Sequence, residues 1–441
     1  MDHIYQNPEF GENWFSYPNL YKSIVDKFGS GSKFVEVGSW KGKSTAYMAV
    51  EIANSGKDIE FYCIDTWEGS VEHKGMEELP KLYDIFLENM KPVEEYYFPL
   101  KIPSLNACKK FKDESLDFVF LDASHEYEDL KEDIKVWISK IKPGGILAGH
   151  DYYNEGTDWF PGVKQAVNEI LDGIDSSENC WIYYKEDLTK LKNFPSINFI
   201  SIQESEDRRN NLYKQFEKYE LTNITPHIYK KYNDDDHKII EGPLLNCTAK
   251  GPVTSHLKAI KEWYENTDEP YTFVCEDDLS FETVKYWNFT WEQFFNSLPK
   301  DWNIVQLCLI REDDNFLIFD TEFKLRNRLW CDWSACAYLI TREHAKNLIK
   351  NYYPDDTMYL EYKGVDKNIR EQDPNSYWFI FPHVENLIYS YFSGGMYSFP
   401  LFVEEISFRS VWGNTNREMN RKSHYDVVNL WKTGRIGQNF K

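Results

Sequence analysis

The sequence predicts an α/β protein made of two domains, and three observations carry that expectation. The chain has 441 residues, more than one core of ordinary size uses. Short β-branched and aromatic runs alternate with helical stretches, pause near residues 186–195, and then begin again. The first 207 residues contain no arginine, and all eleven arginines lie from Arg208 onward. A pattern that restarts where composition shifts suggests two joined modules, with boundaries at 1–188 and 195–441.

Composition narrows the function classes. Hydrophobic residues make up 42% and aromatics 17%, enough to build cores and to exclude wholesale disorder. A net charge of -22 excludes a general duplex binder, because phosphate neutralisation needs net positive surface; a local basic pocket remains compatible with it. No apolar run approaches the roughly 20 residues of a membrane span. The opening residues lack the basic start and apolar stretch of a signal peptide. The eight cysteines never form CxxC and read as reduced, buried thiols of a cytoplasmic protein.

In the first module, 34–38 reads as an apolar strand, 43–55 as a helix, 60–67 as a strand, 116–124 as a strand, 127–141 as a helix and 144–152 as a strand. Strand, helix, strand in this rhythm makes βαβ units and a parallel sheet. The first strand runs into Glu36-Val37-Gly38-Ser39-Trp40-Lys41-Gly42-Lys43-Ser44. Glycines at such a turn let a ligand approach backbone N–H groups at a helix start. Two ligand classes use it. A nucleotide-phosphate loop needs a glycine five residues before Gly42, where Val37 stands; Gly38 is one residue too close. S-adenosylmethionine needs an acidic residue, a glycine two residues on, and small residues before the helix, which Glu36, Gly38, Gly42 and Ser44 supply. Asp65, ending the second strand, is placed to accept ribose hydroxyls; the alternative is a strand-end turn residue. In an open parallel sheet the carboxyl ends of strands line the crevice, which brings Asp122 and Asp151 together. With His150 they could hold Mg²⁺ or Mn²⁺ beside a substrate hydroxyl, with His125 as the base. The alternative for both histidines is a structural hydrogen bond.

Residues 10–185 resemble class I S-adenosylmethionine-dependent O-methyltransferases, in particular the group related to macrolide-sugar and small-molecule O-methyltransferases. The resemblance rests on the segments 34–45, 63–67, 120–137 and 142–152, which occur in order. It implies a Rossmann-like fold, the cofactor near Glu36, Gly38 and Asp65, and a metal near Asp122 and Asp151. His150 departs from the carboxylate that many metal-dependent relatives carry.

In the second module 197–202 reads as a strand and 206–221 as a charged helix. The clearest later pieces are 271–278, 303–310 and 334–353. Glu276-Asp277-Asp278 closes an apolar strand. Three adjacent carboxylates repel one another unless a cation is present, so a divalent ion bridging them to the diphosphate of a nucleotide sugar is the expected chemistry; a solvated acidic turn is the alternative. Arg208 and Arg209 follow the first strand and could meet phosphate or base, or simply begin a solvated helix. His256 could contact donor phosphate or play a structural part, and Ser255 could cap the helix around it. Residues 195–395 resemble glycosyltransferase family 25, the lipooligosaccharide and collagen galactosyltransferase-like group with a GT-A fold. The likeness rests on the strand followed by Asp207-Arg208-Arg209 and on the segments 255–260, 274–281 and 334–349. It implies inversion at the sugar carbon, which needs a base opposite the leaving group. Asp366, ahead of an apolar strand at 379–384, is the candidate.

These expectations combine into a bifunctional transferase: O-methylation from S-adenosylmethionine in a Rossmann-like domain, and metal-dependent glycosyl transfer from a nucleotide sugar in a GT-A-like mixed-sheet domain. The acceptor would be a glycan or a glycosylated small molecule. The rivals are a P-loop kinase or sulfotransferase in place of the methyltransferase, and a module kept only as a glycan-binding scaffold.

Overall fold

The structure is a computed structural model. It describes the chain except residues 12–13, 71–72, 74, 154–161, 232–238, 242–246, 312–324, 330–331, 356, 361–383, 390–393, 408–416 and 433–441. The chain divides into two compact units, Met1–Asp187 and Leu188–Lys441.

The first unit is a seven-stranded sheet in the order β3-β2-β1-β4-β5-β7-β6. Its strands are β1 (Ser32–Val37), β2 (Ile59–Asp65), β3 (Phe98–Lys101), β4 (Leu116–Leu121), β5 (Ile141–Gly149), β6 (Asp175–Ser177) and β7 (Cys180–Tyr184). Strands β1 to β5 are parallel, while β7 runs antiparallel to both β5 and β6. The helices are α1 (Pro18–Lys27), α2 (Lys43–Ser55), α3 (Leu82–Met90), α4 (Ser104–Ala107), α5 (Tyr127–Trp137) and α6 (Val163–Ile170). Alternate residues of each strand feed two different cores. Phe34, Phe61, Phe118 and Phe120 pack with Tyr21, Ile24, Met48 and Phe86 from α1, α2 and α3. Val35, Ile64, Val119 and Leu121 pack on the opposite face with Ile134, Trp137 and Ala166 from α5 and α6. A sheet covered on both faces favours strands that are near-continuously apolar, which is why 118–121 lacks a polar alternation and 34–37 has Glu36 as its one polar residue.

The order leaves β1 and β4 adjacent, while the chain first goes outward to β2 and β3 and then returns to β4. That reversal is the switch point where open α/β sheets form their crevice.

The second unit carries a mixed sheet in the order β12-β17-β13-β15-β11-β8-β9, with β14 also paired to β17. Its elements are β8 (Ile197–Ile202), α7 (Glu206–Lys218), β9 (Ile224–Tyr229), β10 (Ile239–Glu241), α8 (Cys247–Asn266), β11 (Tyr271–Glu276), β12 (Leu279–Ser280), α9 (Trp291–Asn296), β13 (Trp302–Cys308), β14 (Arg326–Asn327), β15 (Ala337–Thr341), α10 (Arg342–Tyr352), β16 (Met358–Leu360), α11 (Val384–Ile388), β17 (Gly395–Glu404) and α12 (Arg417–Lys432). Strands β10 and β16 form a separate parallel pair. One core joins α8, α10 and α11 to Ile200, Val274, Ile304 and Ile340 of the sheet. Much of the aromatic content goes into another cluster, where Phe281 and Phe402 stand 5.0 Å apart, and Trp287 lies 5.6 Å from Phe402 and 6.1 Å from Trp431.

Strand β15 is antiparallel to both β11 and β13, and β13 is parallel to β17. The ends of β11, β13 and β17 therefore meet the start of β15 at one edge. Two expectations change here. Ser255 lies inside α8 and is not its cap, because the helix begins at Cys247 and carries Pro252 in its interior. Val384 opens α11, so it does not end the strand expected at 379–384; the rest of that strand and Asp366 lie outside the described residues.

Candidate functional site

The crevice edge of the first unit is built on the turn between β1 and α2. Gly38 has φ +98°, and a Cβ there would overlap the carbonyl of Asp122. Its N–H donates to Ile64 O at 2.8 Å, and Asp122 N donates to Val37 O at 2.8 Å. The turn is thus clamped between β2 and β4. Gly42, at φ +91°, caps α2 in the left-handed region, and a Cβ there would stand 2.9 Å from the Met90 side chain.

Glu36 is 1% exposed and organises this turn from inside. Its Oε1 accepts from Tyr21 OH at 2.8 Å and its Oε2 from Ser39 Oγ at 2.9 Å, and Thr45 Oγ1 also donates to Oε2. Burial pushes its carboxyl up, and the hydroxyl donors oppose that. Asp65 accepts from the N–H of Trp40 at 2.9 Å and of Trp67 at 2.7 Å. Burial raises its carboxyl too, against those backbone donors.

Asp122 and Asp151 converge at the ends of β4 and β5, as the spacing predicts. The surprise is His125, expected as a separate base: it joins them, and one ligand atom from each of the three lies within 4.8 Å of the others. His125 Nε2 is 3.1 Å from Asp151 Oδ2 and 3.9 Å from Asp122 Oδ1. His150 Nδ1 is 3.2 Å from Asp151 and 3.9 Å from Asp122, while its Nε2 meets Ser16 Oγ at 2.9 Å. Tyr17 OH donates to Asp122 Oδ2 at 2.9 Å. Asp151 has φ +62°, a left-handed position that aspartate tolerates. Burial would lower the His125 pKa, but the hydrogen bonds its ring donates to Asp122 and Asp151, with their charges, outweigh it and push it up to about 10. Burial disfavours the charged form of Asp151, yet both imidazoles hold its carboxyl well below the usual range.

Tyr17, Tyr21 and Ser16 are partners that the motif reading missed. Their signal was an amphipathic run at 18–27 after an aromatic pair, with Leu20, Tyr21, Ile24 and Val25 on its buried face.

The second unit solves the same problem differently. Glu276 ends β11 and Asp277 and Asp278 follow it, and their charges are met by His256 and by a shared Arg208. Glu276 Oε1 is 2.9 Å from His256 Nε2. Asp277 accepts from Ser201 Oγ at 2.6 Å and pairs with Arg208 at 3.0 Å. Asp278 pairs with the other Arg208 nitrogen. The counter-charge assigned to a divalent ion in the sequence is here a guanidinium. Burial pushes Asp277 up to about 6, against the pull of Arg208. Arg209 instead donates to Ser201 Oγ and to the carbonyls of Ile202 and Gln203, tying down the end of β8. His256 is 0% exposed, with its other nitrogen 2.9 Å from Tyr338 OH. That leaves it no face for the donor phosphate suggested by sequence.

With this geometry in place, comparison with known proteins gives the class first: residues 35–152 match the model of a methyltransferase domain. The chain is 28% identical over 119 residues to the uncharacterized protein y4gI of Sinorhizobium fredii, a match covering 27% of this chain and 13% of that protein. It is 22% identical over 173 residues to the uncharacterized protein R132 of Acanthamoeba polyphaga mimivirus, covering 38% of this chain and 73% of that protein. Among solved structures, the O-methyltransferase NovP is 15% identical with a TM-score of 0.31, covering 39% of this chain and 80% of that chain. An O-methyltransferase from Bacillus cereus, solved with SAH, is 15% identical with a TM-score of 0.28 over the same shares.

Proposed function

We propose that the first unit transfers a methyl group from S-adenosylmethionine to a hydroxyl of an acceptor, with a divalent ion, Mg²⁺ or Mn²⁺, held by Asp122, His125 and Asp151. The observation that carries this reading is the shared edge at the β1/β4 switch point, within a segment similar to methyltransferase domains. Asp65 is oriented by two backbone amides to take the ribose hydroxyls, and Gly38 lets the turn close against the Asp122 carbonyl at the crevice edge. Glu36 acts indirectly, holding the turn through Ser39 and Thr45. The donor set of two carboxylates and an imidazole fits a divalent ion. When bound, that ion supplies the positive charge that lowers the acceptor hydroxyl's pKa. Between two carboxylates His125 holds its proton at neutral pH, so it is a ligand once another cation is present and a poor base without one. The acceptor hydroxyl gives its proton to solvent water, and its oxygen bonds to the methyl carbon as the carbon–sulfur bond breaks, leaving S-adenosylhomocysteine.

For the second unit we propose glycosyl transfer from a nucleotide sugar to a glycan or glycosylated small molecule, in a GT-A-like fold. The specific support is the carboxylate-rich end of β11 beside Arg208, a cation positioned to meet a diphosphate. Mn²⁺ or Mg²⁺ at Glu276, Asp277 and Asp278, and Asp366 as base, belong to this proposal. The six described cysteines are free and buried, which goes with a cytoplasmic location. Among the described residues no helix is long and apolar enough to cross a membrane.

Calorimetry with S-adenosylmethionine tests the first reading. Asp65→Ala should weaken binding at least roughly tenfold, about 1.4 kcal/mol. Asp151→Ala should leave that affinity intact and lower S-adenosylhomocysteine release on a panel of hydroxylated glycans by about 10²-fold or more, about 2.7 kcal/mol. Thermal protection by ATP without protection by S-adenosylmethionine would overturn the reading in favour of a phosphate loop. Full turnover in excess EDTA would remove the metal from it.

A further inference from the structure

The edge of the second unit holds another set of metal-ligating side chains, built from residues that the acidic motif does not include. Cys308 ends β13, Cys336 immediately precedes β15, and Glu404 ends β17. One ligand atom from each lies within 4.8 Å of the other two. The strand directions explain the convergence: three elements far apart in sequence reach the same edge. Glu276 N donates to Cys336 O at 2.8 Å, which fixes this cluster beside the end of β11.

We propose that Cys308, Cys336 and Glu404 form a binding site for a thiophilic divalent cation of the Zn²⁺ class. The inference does not depend on the reaction assigned to either unit.

The chemistry of the donor set selects the ion. Thiolate sulfur favours Zn²⁺ over Mg²⁺ or Mn²⁺, which take oxygen ligands. Zn–S distances near ~2.3 Å and Zn–O distances near ~2.1 Å need only a small contraction of a cluster already this tight. The thiols are shielded, Cys308 being 2% and Cys336 1% exposed, whereas Glu404 is half-buried and gives an approach. Glu404 is also aimed: its Oε1 accepts from Ser334 Oγ at 2.9 Å and its Oε2 from Asn420 Nδ2 at 2.9 Å. Ser334 Oγ further accepts from Cys336 N at 3.1 Å, so one hydroxyl orients two of the three ligands. Outer partners of this kind are what hold metal ligands in place. Three protein ligands leave a fourth tetrahedral position. Asp278, whose charge acts on both Cys336 and Glu404 and whose Oδ1 is buried with no hydrogen-bond partner, is the carboxylate proposed to reach the ion or to hold a water there.

Binding would exchange protons for the ion. The thiols and Glu404 are all held toward their protonated forms by burial, with Asp278 and Glu276 adding to the effect on Glu404. A coordinated cation would release those protons to solvent, and no oxidant or reductant takes part.

The test uses the reduced full-length chain and Co²⁺ as a spectroscopic stand-in for Zn²⁺. The expected result is a near-ultraviolet thiolate-to-cobalt charge-transfer band that saturates at about one ion per chain and is bleached by added Zn²⁺. Cys308→Ser and Cys336→Ser should each abolish the band, whereas Asp122→Ala, in the first unit, should keep it. Ser334→Ala should weaken Zn²⁺ binding roughly tenfold while the band persists. A measurement needing no variant covers the case where the cysteine substitutions fail to fold: Zn²⁺ should protect Cys308 and Cys336, and not Cys63 or Cys180, from alkylation read by mass spectrometry. Absence of the band in the folded wild type, or equal alkylation with and without Zn²⁺, overturns the proposal. A Cys308–Cys336 disulfide that forms in air and is not prevented by Zn²⁺ also overturns it.

Discussion

Two acidic edges, one in each unit, neutralise their charge in chemically different ways. Asp122 and Asp151 meet imidazoles, and Asp277 and Asp278 meet a guanidinium. An imidazole can give up its proton and become a ligand. A guanidinium can do neither and stays a cation at any ordinary pH. The first edge can therefore exchange its protons for a metal without moving a side chain away. At the second, an ion at Asp277 and Asp278 must compete with Arg208, which both carboxylates already hold. A strand that ends in carboxylates is thus an ambiguous signal until the counter-charge is known.

Three substitutions break or sharpen that contrast. The largest effect is expected for Gly38→Val, whose side chain would overlap the Asp122 carbonyl at a φ that valine does not tolerate. It should destabilise the first unit by on the order of 4 kcal/mol, read as a fall in its melting temperature. A normally stable Gly38→Val protein would mean that the turn does not rest on β4. Next is Arg208→Ala, which leaves two shielded carboxylates uncompensated. A loss of about 3 kcal/mol is expected, and Mn²⁺ should restore part of it in the variant while doing little for wild type. If Mn²⁺ stabilises wild type equally, the second edge accepts metal beside its arginine and the contrast collapses. The smallest effect is expected for Tyr17→Phe, which removes one neutral donor from Asp122. It should cost about 1 kcal/mol in denaturant unfolding and leave the Asp122 side of the edge open to Mn²⁺. A loss as large as that for Arg208→Ala would show that hydroxyls carry as much of the first edge as charge carries of the second.

The legible parts of the molecule were those in which one local signal suffices. The largely apolar, β-branched and aromatic runs at 34–37, 118–121 and 197–202 read as buried strands, and a glycine at 38 before a helix marks the turn. Asp122 and Asp151 could be placed together because strand ends in a parallel sheet share an edge. Other relations depend on what lies opposite in space. Nothing in the run 276–278 says that Arg208, seventy residues earlier, fills the space between two of its carboxylates. His256 follows a serine in a helical stretch, and only the packing against Tyr338 and Glu276 shows it to be shielded. The run of three carboxylates suggested a metal by itself, because the motif does not encode its neutralising partner. Cys308, Cys336 and Glu404 are dispersed over three strands, beyond any spacing rule.

The contact between Gly38 and the Asp122 carbonyl has one more consequence. The turn proposed to take the methyl donor and the carboxylate proposed to hold the acceptor's ion are not independent parts that must find one another in each catalytic cycle. They are opposite sides of a single backbone contact, held by the hydrogen bond from Asp122 N to Val37 O. For the proposed methyl transfer, the separation of these two parts is in this sense set during folding, by the absence of one carbon atom at position 38.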